Sequence, residues 1–129
     1  MSAISTHVLD IAAGGPAAGL RVRLERVTSA GPRVAPVAEE IAAASTDANG
    51  RVTDLGPEVI APGTYRLIFD TGGYLTRRHA TSDGRTGSDG TAGAPFFPEV
   101  TVTFAVTTGE HYHVPLLLSP FGYSTYRGS

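Results

Sequence analysis

The residues of this sequence best suited to chemistry are three histidines and one arginine. His7 lies in the segment S-T-H-V-L-D, Arg51 follows Asn49-Gly50, and His111 and His113 flank a tyrosine. A neutral imidazole, with a pKa near 6.5, can accept and return a proton near neutral pH. A guanidinium supplies a fixed cation for an anionic or carbonyl-rich ligand. These residue types suit hydrolysis by acid–base catalysis, although their positions along the chain do not by themselves bring them together.

Each of these residues also has a simpler interpretation. A single histidine on a strand is more often a hydrogen-bonded structural residue or an exposed one, and an arginine beside a turn is usually solvated. The H-x-H pair could belong to a zinc site, but zinc needs a third and usually a fourth ligand. Only His7 and His79 remain as further imidazoles, and no spacing selects them. From the residues alone, the structural, metal-binding and catalytic interpretations stay open.

The alternation of apolar and polar residues places the histidines on the outer faces of strands. Alternate residues of a strand share a face. In the segment H-Y-H-V-P-L-L-L, both histidines therefore point away from the apolar residues that follow. In the first predicted strand, placing Val8 in the core puts His7 on the outer face. Pro115 lacks an N–H, which indicates a sheet edge or an interruption of the strand at that point.

The rest of the chain predicts many short strands and little helix. Sixteen Gly and nine Pro interrupt the sequence, which favours short strands joined by turns. We expect a helix at 71–79, loops at 29–36 and 80–94, and strands at 4–10, 20–28, 40–48, 51–55, 63–70, 98–107, 111–118 and 123–126. Asn49-Gly50 is a strong hairpin signal, so the strands on either side of it are predicted to pair. The sequence thus predicts an all-β, antiparallel β-sandwich, in one domain that spans residues 1–129.

Composition excludes several classes of function. All ten basic residues are Arg, so catalysis by lysine is excluded. The chain has no Cys, which excludes thiolate nucleophiles, disulfides and cysteine metal sites. A net charge of −2 gives no basic surface for nucleic acid. No segment approaches the ~20 apolar residues that span a bilayer, and the N-terminus does not resemble a secretory signal. We therefore expect a cytoplasmic protein with neither a nucleic-acid nor a membrane partner.

Four segments of the chain resemble the transthyretin-like family of 5-hydroxyisourate hydrolases, which act in purine catabolism. They are I-S-T-H-V-L-D-I-A-A-G-G-P-A at 4–17, T-D-A-N-G-R-V at 46–52, F-F-P-E-V-T-V-T-F at 96–104 and H-Y-H-V-P-L-L-L-S-P-F-G-Y-S-T-Y-R-G-S at 111–129. They follow the order of the family and extend over the whole chain. The terminal Y-R-G-S is the most specific, because transthyretin itself lacks it.

The resemblance implies a fold, an assembly and a reaction. The fold is a transthyretin-like (prealbumin-like) β-sandwich of eight strands with one short helix. The assembly is a homotetramer, a dimer of dimers, with active sites in a channel between the dimers. The reaction is hydrolysis of 5-hydroxyisourate to 2-oxo-4-hydroxy-4-carboxy-5-ureidoimidazoline, with no metal or organic cofactor required.

The resemblance also implies which residues form the site. His7, Arg51, His113 and Ser129 match the family's catalytic residues. The substrate-binding residues would be His7, Arg51, Tyr126 and Ser129. The remaining residues of Y-R-G-S, Arg127 and Gly128, complete the motif, and the role of His111 is left open.

A transthyretin-like carrier of a small ligand, without catalytic activity, is the alternative function. Carriers of that kind lack the set of two histidines and one arginine that this chain contains. The chain departs from the family at 77–95, a stretch rich in Gly, Ser and Asp that is longer than the expected connection. All matched site residues lie outside this stretch.

Overall fold

Nine strands and one helix make up the chain in a computed structural model, which describes residues 2–29, 31–83 and 95–128, with 79–83 described as backbone only. The strands are β1 Ile4–Asp10, β2 Gly15–Pro16, β3 Arg21–Thr28, β4 Val37–Ser45, β5 Arg51–Val52, β6 Gly63–Phe69, β7 Val100–Val106, β8 Tyr112–Ser119 and β9 Gly122–Thr125, and the helix is α1 Thr71–Asp83. The predicted β-sandwich with one helix is confirmed. No helix within the described ranges is long and apolar enough to cross a membrane.

Two sheets form the sandwich. The first has the strand order β2-β1-β8-β9, with β5 also paired to β1, and the second has the order β4-β3-β6-β7. Among the described strands, β1 and β8 form one parallel pair, which runs from Ile4 opposite Tyr112 to Asp10 opposite Leu118. This pair corrects the expectation of a wholly antiparallel sandwich. Only strands joined by a tight turn must run antiparallel, and these two are separated by most of the chain.

The alternating residues of the strands build the core between the two sheets. Val22 and Leu24 on β3 are fully buried, as is Leu20 just before it, whereas Arg21 is exposed. On β8, Leu116 and Leu118 are fully buried as well. The inward faces of both sheets are therefore mainly apolar. Thr6 and Asp10 of β1 are buried on this face with hydrogen-bond partners, whereas Ser5, His7 and His113 lie on the outer face of the first sheet.

The hairpin predicted at Asn49-Gly50 is wrong, because the strands on its two sides belong to different sheets. β4 pairs with β3, whereas β5 pairs with β1. The turn itself forms as the residue types indicate, since the Gly50 N–H donates to the Asp47 carbonyl over 2.9 Å. Thr46, just before the turn, donates its N–H to the carbonyl of Leu20, the residue that precedes β3 of the second sheet. The turn therefore carries the chain from one sheet to the other.

The helix is longer than predicted, and its two glycines fit into close contacts. Asp70 caps the first turn, because its Oδ1 accepts a hydrogen bond of 3.0 Å from the Gly73 N–H. A Cβ on Gly72 would lie 2.8 Å from the Pro98 carbonyl oxygen. The predicted loop at 80–94 is corrected at its start, since α1 continues to Asp83. Residues 84–94 lie outside the described residues.

Pro115 interrupts the pairing of β8 with its neighbour β9, but β8 is not an edge strand. The ladder begins at Leu116 opposite Thr125, and the same register returns at an isolated bridge between His113 and Gly128. Between these points the missing N–H of proline removes a ladder hydrogen bond. The C-terminal segment thus leaves the sheet after Thr125 and rejoins it beside His113.

Gly50 is expected to be the glycine of the turns that tolerates a side chain least. Its φ is +74°, and a Cβ there would overlap the Val8 carbonyl oxygen and lie 3.0 Å from Pro16 Cβ. Gly14 has nearly the same φ, +73°, with nothing within 4 Å. Gly14→Ala should lose about 1 kcal/mol of unfolding free energy from its φ alone. Gly50→Ala should lose about 1–3 kcal/mol more through the overlap.

Urea denaturation of both variants at one protein concentration measures this difference. Equal losses for Gly50→Ala and Gly14→Ala would show that the close approach of the turn to β1 contributes nothing to stability.

Candidate active site

His7, Arg51 and His113 lie on one face of the first sheet. Residues directly opposite each other on paired strands point to the same side. His7 is opposite Arg51 across the β1–β5 pair, and Ser5 is opposite His113 across the β1–β8 pair. Ser5 and His7 are alternate residues of β1, so all four side chains share the outer face. The structure thus brings together three of the residues matched by the resemblance.

The spacing of the sheet sets the distances between these side chains. His7 and Arg51 are direct neighbours, for which Cβ atoms are about 5 Å apart. His7 and His113 are diagonal neighbours, because His7 lies opposite Pro115, two residues beyond His113. With strands about 4.8 Å apart and alternate residues about 6.6 Å apart, that diagonal is about 8 Å. A flat, ring-sized ligand can therefore lie between the two imidazoles and face the guanidinium.

The turn before β5 positions both Arg51 and His7, and it depends on Asp47. The Asp47 Oδ1 accepts hydrogen bonds from the N–H groups of Asn49, at 2.8 Å, and Arg51, at 3.0 Å. These donors, the Arg51 N–H first, lower the pKa of the Asp47 carboxyl below its usual 3.8. The Asn49 carbonyl in turn accepts a hydrogen bond of 3.0 Å from His7 Nε2. One carboxylate therefore shapes the turn that supplies the cation and orients an imidazole.

The guanidinium of Arg51 is exposed and has no carboxylate partner among the described side chains. Other arginines are paired: Arg66 with Glu25 at 2.9 Å, and Arg78 with Asp10 at 2.9 Å. A cation that forms no ion pair with a described carboxylate is available to an anionic ligand.

His113 is half-buried and held on two sides. Its Nδ1 lies 2.8 Å from the hydroxyl oxygen of Ser5. The Gly128 N–H donates to the His113 carbonyl over 2.8 Å. A Cβ on Gly128 would lie 2.5 Å from His113 Cδ2. The absence of a side chain therefore lets the C-terminal tail, residues 126–128, pack against the imidazole. Burial, and then electrostatic interaction with His111, His7 and Arg51, lower the pKa of His113 below 6.5.

His111 also contacts Ser5, which gives a position to a residue whose role the sequence left open. Its Nε2 lies 2.8 Å from the Ser5 hydroxyl oxygen, and its Nδ1 lies 3.0 Å from the Ser2 carbonyl oxygen. His111 and His113 thus share one hydroxyl group. No group of three or more histidine, aspartate and glutamate side chains within the described part of the chain forms a metal-binding cluster.

The tail is anchored by Arg127. Its guanidinium pairs with Glu110 and lies over the Tyr112 ring, with 4.6 Å from Cζ to the ring centroid. Tyr126 is 58% exposed and lines a cleft of about 260 Å³ between β7 and β8. A substrate-binding role for Tyr126 stays a prediction. Ser129, predicted to be catalytic and to bind substrate, lies outside the described residues.

Two residues of the site, Ser5 and Asp47, were missed by reasoning from the sequence. The position of Ser5 two residues before His7 places its side chain on the same face, and that signal was present in S-T-H. Its contact with His113 depends on the pairing of β1 with β8, which no local pattern shows. Asp47, two residues before Asn49, carries the signature of a turn whose first side chain accepts backbone N–H groups.

Comparison with known proteins gives consistent results. A relative named 5-hydroxyisourate hydrolase from Caulobacter vibrioides is 43% identical over 130 residues, covering 100% of each chain. One of the same name from Salmonella dublin is 42% identical over 128 residues, covering 98% of this chain and 80% of its own length. The solved structure of Klebsiella pneumoniae 5-hydroxyisourate hydrolase matches with a TM-score of 0.75 and 34% identity, covering all of both chains.

Transthyretin from Sparus aurata has a similar structure, with a TM-score of 0.76 and 29% identity over 99% of this chain and 97% of its own. The family model described as HIUase/Transthyretin family matches residues 4–128. With this match and these identities, the chain belongs to the HIUase/transthyretin family.

Proposed function

We propose that the chain hydrolyses 5-hydroxyisourate to 2-oxo-4-hydroxy-4-carboxy-5-ureidoimidazoline. The observation that carries the proposal is the convergence of His7, Arg51 and His113 on one sheet face, with an arginine that has no carboxylate partner in the described chain. Relatives that are 42% and 43% identical over nearly the whole chain bear the name of this hydrolase.

The reaction requires a proton acceptor, a proton donor and a cation. Water attacks a ring carbonyl, a C–O bond forms, and the ring C–N bond breaks after the tetrahedral intermediate. One imidazole takes the proton of the attacking water, and an imidazole returns a proton to the leaving nitrogen. Arg51 lies where it can hold the carbonyl-rich ring and stabilise the negative charge that develops on oxygen.

The two histidines differ in their surroundings, and the difference suits distinct roles. His7 Nε2 faces the Asn49 carbonyl, which can only accept a hydrogen bond, so Nε2 carries a proton. The pKa of His113 lies below its ordinary value, which keeps this imidazole neutral and able to accept a proton at neutral pH. Tyr126 and Ser129 complete the proposed set, hydrogen-bonding the substrate or orienting the water.

The proposed assembly is a homotetramer in which a second subunit covers the exposed face of the first sheet. Large apolar side chains are exposed beside this sheet, among them Phe121, which is 77% exposed, and Ile11. Exposed apolar surface of this kind is typical of contacts between subunits. Location in the cytoplasm, the absence of a nucleic-acid or membrane partner, and a single domain over 1–129 stay predictions from the sequence.

A small-ligand carrier without catalytic activity is the alternative, and the likeness to transthyretin favours it. A solved structure of sea bream transthyretin in complex with thyroxine matches with a TM-score of 0.73 and 29% identity. A carrier would not change the decay of 5-hydroxyisourate, so the assay below separates the two functions.

The purified protein should accelerate the decay of 5-hydroxyisourate generated from urate by urate oxidase, followed by ultraviolet absorbance. His7→Ala and His113→Ala should each lower kcat/KM by about 10²–10⁴-fold, because each removes a proton-transfer group. Arg51→Ala should lower it by about 10–100-fold through the loss of a charge-assisted hydrogen bond.

Arg33→Ala is the matched control for Arg51→Ala, because Arg33 is an exposed arginine outside the site. It should retain wild-type kcat/KM. All variants should sediment like the wild type, at four times the chain mass of 13.4 kDa if the tetramer proposal is correct. Decay no faster than the spontaneous reaction in the presence of the wild-type protein would exclude the hydrolase.

The pH dependence of kcat/KM should reflect the lowered pKa of His113. Because burial and nearby positive charges disfavour the imidazolium, the neutral base persists as pH falls below 6.5. Activity should therefore be retained at pH 6.5 and be lost only as pH falls through the lowered pKa. A pH–rate profile, corrected for spontaneous decay, locates this limb, and a midpoint at or above 6.5 would contradict the assignment.

Gly128→Ala should impair catalysis although the residue has no functional group. The new Cβ would lie 2.5 Å from His113 Cδ2, so either the imidazole or the tail must move. A displacement near 1 Å at a reacting group costs about 10²-fold in rate. Gly122→Ala is the control, because its Cβ would meet Ser119 Oγ at an ordinary 3.6 Å. Equal kcat values for the two variants would show that the tail does not position His113.

A further inference from the structure

A chain of three hydrogen bonds runs from the backbone of Ser2 to the imidazole of His113. The Ser2 carbonyl oxygen lies 3.0 Å from His111 Nδ1. His111 Nε2 and His113 Nδ1 each lie 2.8 Å from the hydroxyl oxygen of Ser5. Ser5 is 7% exposed, so its hydroxyl is largely shielded from competing water.

The direction of every bond in this chain follows from its first acceptor. A carbonyl oxygen only accepts, so His111 Nδ1 carries a proton. A neutral imidazole has one N–H, so His111 Nε2 is an acceptor, and the Ser5 hydroxyl must donate its single proton to it. The Ser5 oxygen is then left to accept a hydrogen bond from His113, whose Nδ1 therefore carries the proton.

We propose that Ser5 and His111 are positioning residues that fix the tautomer of His113, leaving its Nε2 as the unprotonated nitrogen that accepts the proton of the attacking water. The inference rests on the proposed hydrolase for its catalytic meaning, whereas the tautomer itself is a property of the resting protein. It assigns the base role to His113 and gives His111 a role without placing it against the substrate.

Other features of the site agree with this assignment. The imidazole Cδ2, which is adjacent to Nε2, lies against the backbone of Gly128, so the ring cannot rotate freely to exchange its two nitrogens. A positively charged His111 would donate from Nε2 and reverse the Ser5 hydroxyl, which would favour the other tautomer of His113. Burial, and then His111, His7 and Arg51, lower the pKa of His113, which favours its neutral form, with one nitrogen unprotonated.

The tautomers of the four histidines can be read from ¹⁵N chemical shifts in protein labelled at histidine. In the wild type above pH 7, His113 should show a protonated Nδ1 and an unprotonated Nε2. Ser5→Ala should mix the two tautomers and lower kcat by about 10–100-fold, as the loss of residues that orient a reacting group does elsewhere. KM should change little, because the Ser5 hydroxyl is already engaged by His111 and His113.

Two substitutions of His111 provide a matched pair at an exposed position, where we expect neither to prevent folding. His111→Gln keeps an acceptor for the Ser5 hydroxyl and should retain both the tautomer and most of kcat. His111→Leu removes the acceptor and should match Ser5→Ala. A merely structural role would make Gln and Leu alike in tautomer and in kcat.

The outcomes separate this inference from the proposed function. A wild-type His113 protonated at Nε2 would overturn the inference, and so would an unchanged tautomer in both Ser5→Ala and His111→Leu. An inactive wild-type protein with the expected tautomer would instead reject the hydrolase and leave the hydrogen-bond chain as a structural feature.

Discussion

The parallel pairing of β1 with β8 is the constraint on which the site depends. It sets Ser5 opposite His113 and His7 opposite Pro115, so residues separated by most of the chain become neighbours on one face. A shift of this register by one residue would turn one strand's polar side chains into the core. The register is fixed because Ile4 and Val8 on β1 and Leu116 on β8 are fully buried on the other face. The apolar core thus specifies the geometry of the polar face.

The sequence predicted those properties of the site that depend on local period. Alternation predicted that His7 and Val8 lie on opposite faces of their strand. It also predicted that both histidines of H-Y-H point away from the apolar residues that follow. Both predictions are confirmed. Most strands were also located to within a few residues. The resemblance added the identity of the histidines and arginine that meet, which no local pattern could supply.

The failures have one physical cause, which is that partners distant in sequence leave no local trace. Asn49-Gly50 formed the turn that its residue types favour, but the strands beside it found partners elsewhere. The helix predicted at 71–79 continues to Asp83, and Gly72 in its first turn fits a close approach to Pro98. The Ser5 hydroxyl meets its partners His111 and His113 only because β1 pairs with β8. In each case tertiary packing decided between structures that local preference left nearly equal.

The parallel pair also affects how the chain folds. β1 and its long partner β8 are separated by most of the chain, so a large loop-closure entropy must be overcome before their contacts form. The two-residue strands β2 and β5 also pair with β1. Because they are so short, they can form few hydrogen bonds with β1 before β8 pairs with it. The hydrogen bonds of Ser5 with His111 and His113 therefore form only when the fold is nearly complete, and a partly folded chain holds no assembled site.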